Sequence, residues 1–111
     1  WAHAAGVAEQ GALNERLFLA YFTEGANVAD HGTLARLAGE AGLDRDEAAE
    51  VLASGAFAGE VRADLDAARD RDIHGVPNFV IEDRLSIPGA QEVDTMVMLL
   101  ERARERLTAG A

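Results

Sequence analysis

The sequence predicts an α+β fold that is mostly helical, with four helices followed by a β-hairpin and one last helix. Two patterns carry this prediction: apolar residues recur every three or four positions in residues 12–68, and the period changes to two after Asp72. The composition fits one globular chain, because 49% of the 111 residues are hydrophobic and 27% are charged. We therefore divide the chain into a helical part, residues 1–72, and a hairpin with its following helix, residues 73–111.

The first predicted helix covers residues 12–22, where Leu13, Leu17 and Tyr21 repeat at helical spacing. Its aromatic side chains could form a platform for a substrate. However, an aromatic stripe at helical spacing more often belongs to the core of a protein. We therefore expect the three aromatic residues of this helix in the interior: Phe18, Tyr21 and Phe22.

The next three helices are predicted from the residues at their starts. Asp30 precedes an apolar stripe that ends at Gly42, and its carboxylate can accept hydrogen bonds from the amides of the next turn. Asp44, with Glu47 three residues later, forms a capping-box pattern that opens the third helix. The helical period then continues through residues 57–68, which predicts a fourth, amphipathic helix.

A β-hairpin is predicted after the helical part. Phe79–Ile81 is a short run of residues that favour strands, and Leu85–Ile87 follows after the turn-forming letters EDR. Pro88 and Gly89 end the second strand. Apolar residues at helical spacing then predict a final helix over residues 92–107.

Charge and composition exclude several classes of function. Twenty acidic against ten basic residues give a net charge of −10, which argues against nucleic acid and anionic membranes as partners. The chain has no cysteine, so it can form neither a disulfide nor a thiolate nucleophile. His3 and His31 have no ligand partners at metal spacing, and the glycines form no phosphate-binding loop. We predict no metal site and no cofactor.

The candidate binding site is the sequence Gly75-Val76-Pro77 at the entry to the first strand. A residue before proline is forced towards an extended conformation, and proline has no amide hydrogen. The N–H and C=O groups of Val76 are therefore expected to lack local partners and could bind a substrate. His74 beside them could tune a neighbouring thiolate, although a single loop histidine is more often only solvated.

Two long segments resemble one enzyme family. The letters GVPNFVIEDRLSIPGAQ, residues 75–91, resemble a segment of the DsbA-like thioredoxin-fold oxidoreductases, particularly of their FrnE-like branch. The letters LNERLFLAYFTEGANVADHGTLARLAGEAGLD, residues 13–44, are similar to the helical insertion of that branch. The resemblance implies a helical insertion domain followed by the C-terminal β-β-α half of a thioredoxin fold, in a cytoplasmic protein.

The same resemblance implies roles for the loop. Pro77 would be the cis-proline that faces a redox dithiol, and Val76 would offer backbone hydrogen bonds to a protein or small thiol or disulfide substrate. The family's Cys-x-x-Cys half has no counterpart in this chain, and Pro88 stands where the family usually has Ser. We therefore expect a fragment of a protein-disulfide oxidoreductase that contains no catalytic residue and is redox-inactive alone, because thiol–disulfide exchange requires a thiolate.

Two other functions remain open at the level of the sequence. One is a glutathione-binding isomerase or transferase of the same fold, such as a 2-hydroxychromene-2-carboxylate isomerase or a kappa-class transferase, where Ser replaces the leading Cys. The other is a non-enzymatic binding module that uses a free strand edge or a helical face. Because a lone two-stranded sheet is marginal in water, we also expect self-association through the exposed strand edge or through exchanged helices.

Overall fold

The computed structural model describes residues 1–110. These residues form six helices and one two-stranded sheet, in the order α1 (Ala2–Ala5), α2 (Val7–Phe22), α3 (His31–Glu40), α4 (Arg45–Ser54), α5 (Ala58–Asp70), β1 (Asn78–Ile81), β2 (Leu85–Pro88) and α6 (Val93–Ala109). The predicted α+β, mostly helical fold is confirmed. Contacts along the chain divide it into two compact units, Trp1–Arg62 and a second unit that begins at Ala63. No helix within residues 1–110 combines the length and the apolar character needed to cross a bilayer.

The first long helix starts earlier than its apolar pattern. α2 begins at Val7, whereas the recurring apolar residues begin only near residue 12. The residues between them include Ala, Glu and Gln, which are good helix formers without being apolar anchors. Intrinsic propensity therefore extends the helix beyond the stretch that packing requires.

The core of the first unit is built mainly from small side chains. Ala35, Ala38 and Ala48 form one buried cluster, and Ala20 on α2 has no exposed surface. Leu37 on α3 is the largest side chain that is fully buried among the described residues. Larger residues pack against the alanine cluster from its sides and are only partly buried: Trp1, Leu13 and Leu43. The helices of this unit can approach closely because their contacting faces are mostly methyl groups.

The expectation that the aromatic residues of α2 lie in the core is wrong. Phe18, Tyr21 and Phe22 are 58%, 57% and 76% exposed. Their rings pack against one another instead, with the Tyr21 and Phe22 centroids 4.9 Å apart in an edge-to-face arrangement and those of Phe18 and Phe22 6.3 Å apart. Apolar residues cover more than one face of α2, and the face that carries Leu13 and Ala20 is the buried one.

A charged residue shares that buried face of α2. Arg16 lies one turn from Ala20 and is 19% exposed, and its guanidinium binds Glu40 of α3 at 2.9 Å and Glu24 at 3.0 Å. These ion pairs connect α2 to α3 and to the loop between them. The apolar pattern of the sequence could not indicate them, because a long arginine can cover apolar surface with its stem while its head stays paired.

The two predicted N-caps of the first unit are confirmed. The Asp30 carboxylate accepts from the Thr33 amide and hydroxyl, each at 2.9 Å, and these bonds hold the pKa of Asp30 below its usual value. The Asp44 carboxylate accepts from the Glu47 amide at 2.9 Å. The Glu47 carboxylate does not complete a capping box; it accepts from the indole Nε1 of Trp1 at 3.0 Å.

The predicted hairpin forms in the second unit. β1 and β2 are antiparallel, with Phe79 opposite Ile87 and Ile81 opposite Leu85. The Arg84 amide closes the turn by donating to the Ile81 carbonyl at 3.0 Å. Both central residues of the turn, Glu82 and Asp83, have left-handed φ values of 53° and 54°, as a type I′ turn requires. The Asp83 carboxylate is also paired with Arg71, just after α5.

Candidate functional site

The candidate loop begins where α5 is stopped by its own backbone. The Ile73 amide donates to the Ala68 carbonyl and the Asp72 amide donates to the Arg69 carbonyl, both at 2.9 Å. This pair of bonds is a Schellman motif, and Asp72 occupies its left-handed position with φ 56°. Glycine is usual there, so the residue itself does not signal the end of the helix, which the sequence indicates only by the change of period after Asp72. The motif turns the chain out of the helix and into residues 73–77.

Val76 presents an open backbone at the far end of this loop. Its residue surface is 94% exposed, and within residues 1–110 neither its N–H nor its C=O takes part in a hydrogen bond. The next residue is fixed, because the Pro77 carbonyl accepts from the Gly89 amide at 2.8 Å. The Val76–Pro77 peptide bond is cis. One free donor and one free acceptor therefore stand beside an anchored strand entry.

The strand that follows offers more backbone groups on its outer edge. In an antiparallel pair, residues alternate between bonding the partner strand and facing away from it. Since Pro77 bonds Gly89, the register directs the N–H and C=O groups of Asn78 and Val80 away from β2. The outer edge of β2 is less suited to pairing, because Pro88 lies there and has no amide hydrogen.

The two loop residues before Val76 differ in their surroundings: Gly75 lies in open space, whereas His74 contacts Asp72. A Cβ atom built on Gly75 would meet no heavy atom within 4 Å. The Nε2 atom of His74 lies 3.3 Å from the Asp72 Oδ1 atom. Asp72 was not among the residues that the sequence singled out, because its role depends on the left-handed turn at the end of α5.

Two apolar clefts mark the surface of the first unit. One, of about 280 Å³, is lined by Trp1, Phe57 and apolar side chains of α2, α3 and α4. The other, of about 430 Å³, lies beside the aromatic residues of α2, and both clefts share Leu17 and Leu34. No charged side chain within residues 1–110 lines either of them. The clefts are therefore apolar, and the phenol of Tyr21 is the one acid–base group among their lining side chains within residues 1–110.

The family of the chain follows from its match to a known domain. Residues 1–101 match the sequence model of the DSBA-like thioredoxin domain, so the match includes both the helical unit and the hairpin. The chain belongs to this family. The resemblance found in the two sequence segments is thereby confirmed for the DSBA-like family. This DSBA-like thioredoxin domain contains no cysteine, so its loop carries no thiolate of its own.

A relative from Bacillus subtilis is longer than this chain. The DSBA-like chain is 38% identical over 82 residues to YwbO of Bacillus subtilis (strain 168), an uncharacterized protein. The match covers 73% of this chain but only 40% of YwbO. The matched part of the chain therefore corresponds to about two fifths of the length of this relative.

Proposed function

We propose that the chain forms the substrate-side wall of a thiol–disulfide oxidoreductase of the FrnE-like branch. In this proposal Val76 pairs backbone to backbone with an extended segment of the substrate, and the redox dithiol belongs to the complete protein. Residues 1–72 form the helical insertion and residues 73–111 the C-terminal half of the thioredoxin fold. The resemblance to the FrnE-like branch also favours a cytoplasmic location.

The observation that carries the proposal is the backbone of Val76. A residue that is 94% exposed and has both backbone groups unpaired within residues 1–110 can add an extended peptide by main-chain hydrogen bonds. The Pro77–Gly89 bond holds the strand entry in place, so little further ordering of the chain is needed on binding. Such a peptide would present its own cysteine to a neighbouring dithiol in a fixed direction.

The family membership supports the chemical part of the proposal. The chain matches the DSBA-like thioredoxin domain, which is typical of thiol–disulfide oxidoreductases, over residues 1–101. Since the chain has no cysteine, thiol–disulfide exchange needs a thiolate from elsewhere in the complete protein. The contribution of this chain is then to bind and orient, not to attack.

The test is a titration of the ¹⁵N-labelled chain with an extended peptide that contains one cysteine. We expect the Val76 amide to shift, while the amides of Phe79 and Ile81, which the register directs towards β2, serve as internal controls. A peptide with serine in place of cysteine should bind equally, because the main chain makes the contacts. An unchanged Val76 amide at saturating peptide would contradict the proposal. If the Val76 amide shifts with glutathione but not with peptides, the substrate is a small thiol and not an extended peptide.

A further inference from the structure

The loop that presents Val76 contains one imidazole. Among residues 73–77 it belongs to His74, and the others, Ile, Gly, Val and Pro, carry no acid–base side chain. Its imidazole is 75% exposed and its Nε2 atom lies 3.3 Å from the Asp72 Oδ1 atom. No other carboxylate within residues 1–110 lies within 4.0 Å of the imidazole nitrogens. The nearby charged residue Arg71 is paired with Asp83.

The Asp72–His74 contact contributes little to folding. Both side chains are largely exposed, and exposed ion pairs add at most a small amount to stability. What the contact does is orient the ring. A carboxylate that accepts from Nε2–H leaves Nδ1 as the nitrogen that can accept a proton, and it favours the imidazolium that then forms. The left-handed conformation of Asp72, imposed by the Schellman motif, brings the carboxylate to the ring.

We propose that His74, oriented by Asp72, accepts the proton of a substrate thiol bound at Val76 and returns it to the sulfur that leaves. This inference rests on the proposed function, since it needs a substrate at Val76. The redox partner is a disulfide of the complete protein. The thiol proton moves to Nδ1, and the substrate sulfur attacks one sulfur of that disulfide. The S–S bond breaks, its electron pair stays on the second sulfur, and this sulfur takes the proton from the imidazolium. One thiol and one disulfide thus become a mixed disulfide and a new thiol.

The test measures how fast the thiol of a peptide reacts when the peptide is bound to the unmodified chain. A peptide with one cysteine is alkylated with iodoacetamide between pH 5 and 10, free and at saturating protein, as judged by the Val76 amide. A free cysteine with a pKa of about 8.5 is about 3% thiolate at pH 7. An imidazole that takes its proton should raise the alkylation rate at pH 7 by roughly five- to tenfold. The enhancement should vanish above about pH 9, where the free thiol ionises by itself.

Three variants separate a proton-transfer role from a structural one. His74→Asn should abolish the enhancement while the Val76 amide still responds to the peptide. Asp72→Asn should lower it, because asparagine tolerates the left-handed conformation but carries no charge. His31→Asn, at the start of α3, is the matched control and should leave the enhancement unchanged.

The outcomes distinguish this inference from the proposed function. If the peptide does not perturb Val76, the proposed function fails and this inference fails with it. If the peptide binds but its thiol reacts equally with the wild-type chain and with His74→Asn, only the role of His74 is overturned. An equal loss in His31→Asn would also overturn it, because the effect would not belong to this loop.

Discussion

Replacing Leu37 with alanine tests whether the first unit depends on one large buried side chain. Leu37 has no exposed surface, so Leu37→Ala removes three carbons from the interior. Truncations of this kind lower the free energy of unfolding by about 2–5 kcal/mol. A unit that extends from Trp1 to Arg62 and gains about 0.05–0.15 kcal/mol per residue has roughly 3–9 kcal/mol in total. The substitution should therefore remove about half of the stability of the unit.

The assay is thermal and urea unfolding followed by far-ultraviolet circular dichroism, with Leu19→Ala as the matched control. Leu19 lies on α2 in the same unit and is 48% exposed, so the same truncation there should remove less than about 1 kcal/mol. For a unit of this size each kcal/mol corresponds to about 4–8 °C, and the two variants should differ by at least about 1 kcal/mol, so Leu37→Ala should melt at least about 4 °C below the control. Equal midpoints for the two variants would refute the conclusion that Leu37 fills the core.

Three further predictions concern the turn, the cap of α3 and the redox chemistry. Glu82→Asn should stabilise the hairpin by about 0.5–1 kcal/mol, because asparagine adopts the left-handed conformation at position 82 more readily, and slower hydrogen exchange of the Arg84 amide would report it. Asp30 has a lowered pKa because Thr33 donates to its charged form. The contribution of Asp30 to the stability of the fold is therefore present above its ordinary pKa of 3.8 and is lost as the pH falls through the lower pKa of the folded state. The melting temperature of the wild-type chain should therefore fall more steeply below pH 3.8 than that of Asp30→Asn, and parallel curves would exclude this cause. The chain alone should not accelerate the reduction of insulin by dithiothreitol, since it has no cysteine; a protein-dependent rate would contradict the assignment of the dithiol to another segment.

The self-association expected from the free edge of β1 stays a prediction with a direct test. Light scattering should show a mass that increases with protein concentration, because the outward N–H and C=O groups of Asn78 and Val80 can pair with a second strand. Val80→Pro removes one outward donor without removing a bond to β2, so it should weaken the association. A wild-type chain that stays monomeric at millimolar concentration would rule it out.

Sequence reasoning succeeded where the signal is local. Asp30 and Asp44 were recognisable as N-caps because their hydrogen bonds reach only three residues along the chain. The hairpin and α6 were recognisable by the change of period, and the loop by its proline. The exposure of Phe22 could not be recognised from the sequence, since it depends on which face of α2 meets α3. The position of Asp72 beside His74 was equally hidden, because a left-handed aspartate has no sequence signature of its own.

The alanine core of the first unit has a consequence for which substitutions the chain can accept over time. At Ala20 and Ala35, which border neither apolar cleft, the interior already holds the smallest side chain with a Cβ atom, so little volume can be lost there. Added volume is the greater risk, because an extra methylene in a closely packed interface forces neighbouring backbones apart. Exchanges to valine or leucine, which are mild in most cores, should therefore be the damaging ones here. Sequence drift at these two positions should be confined to alanine, glycine and serine.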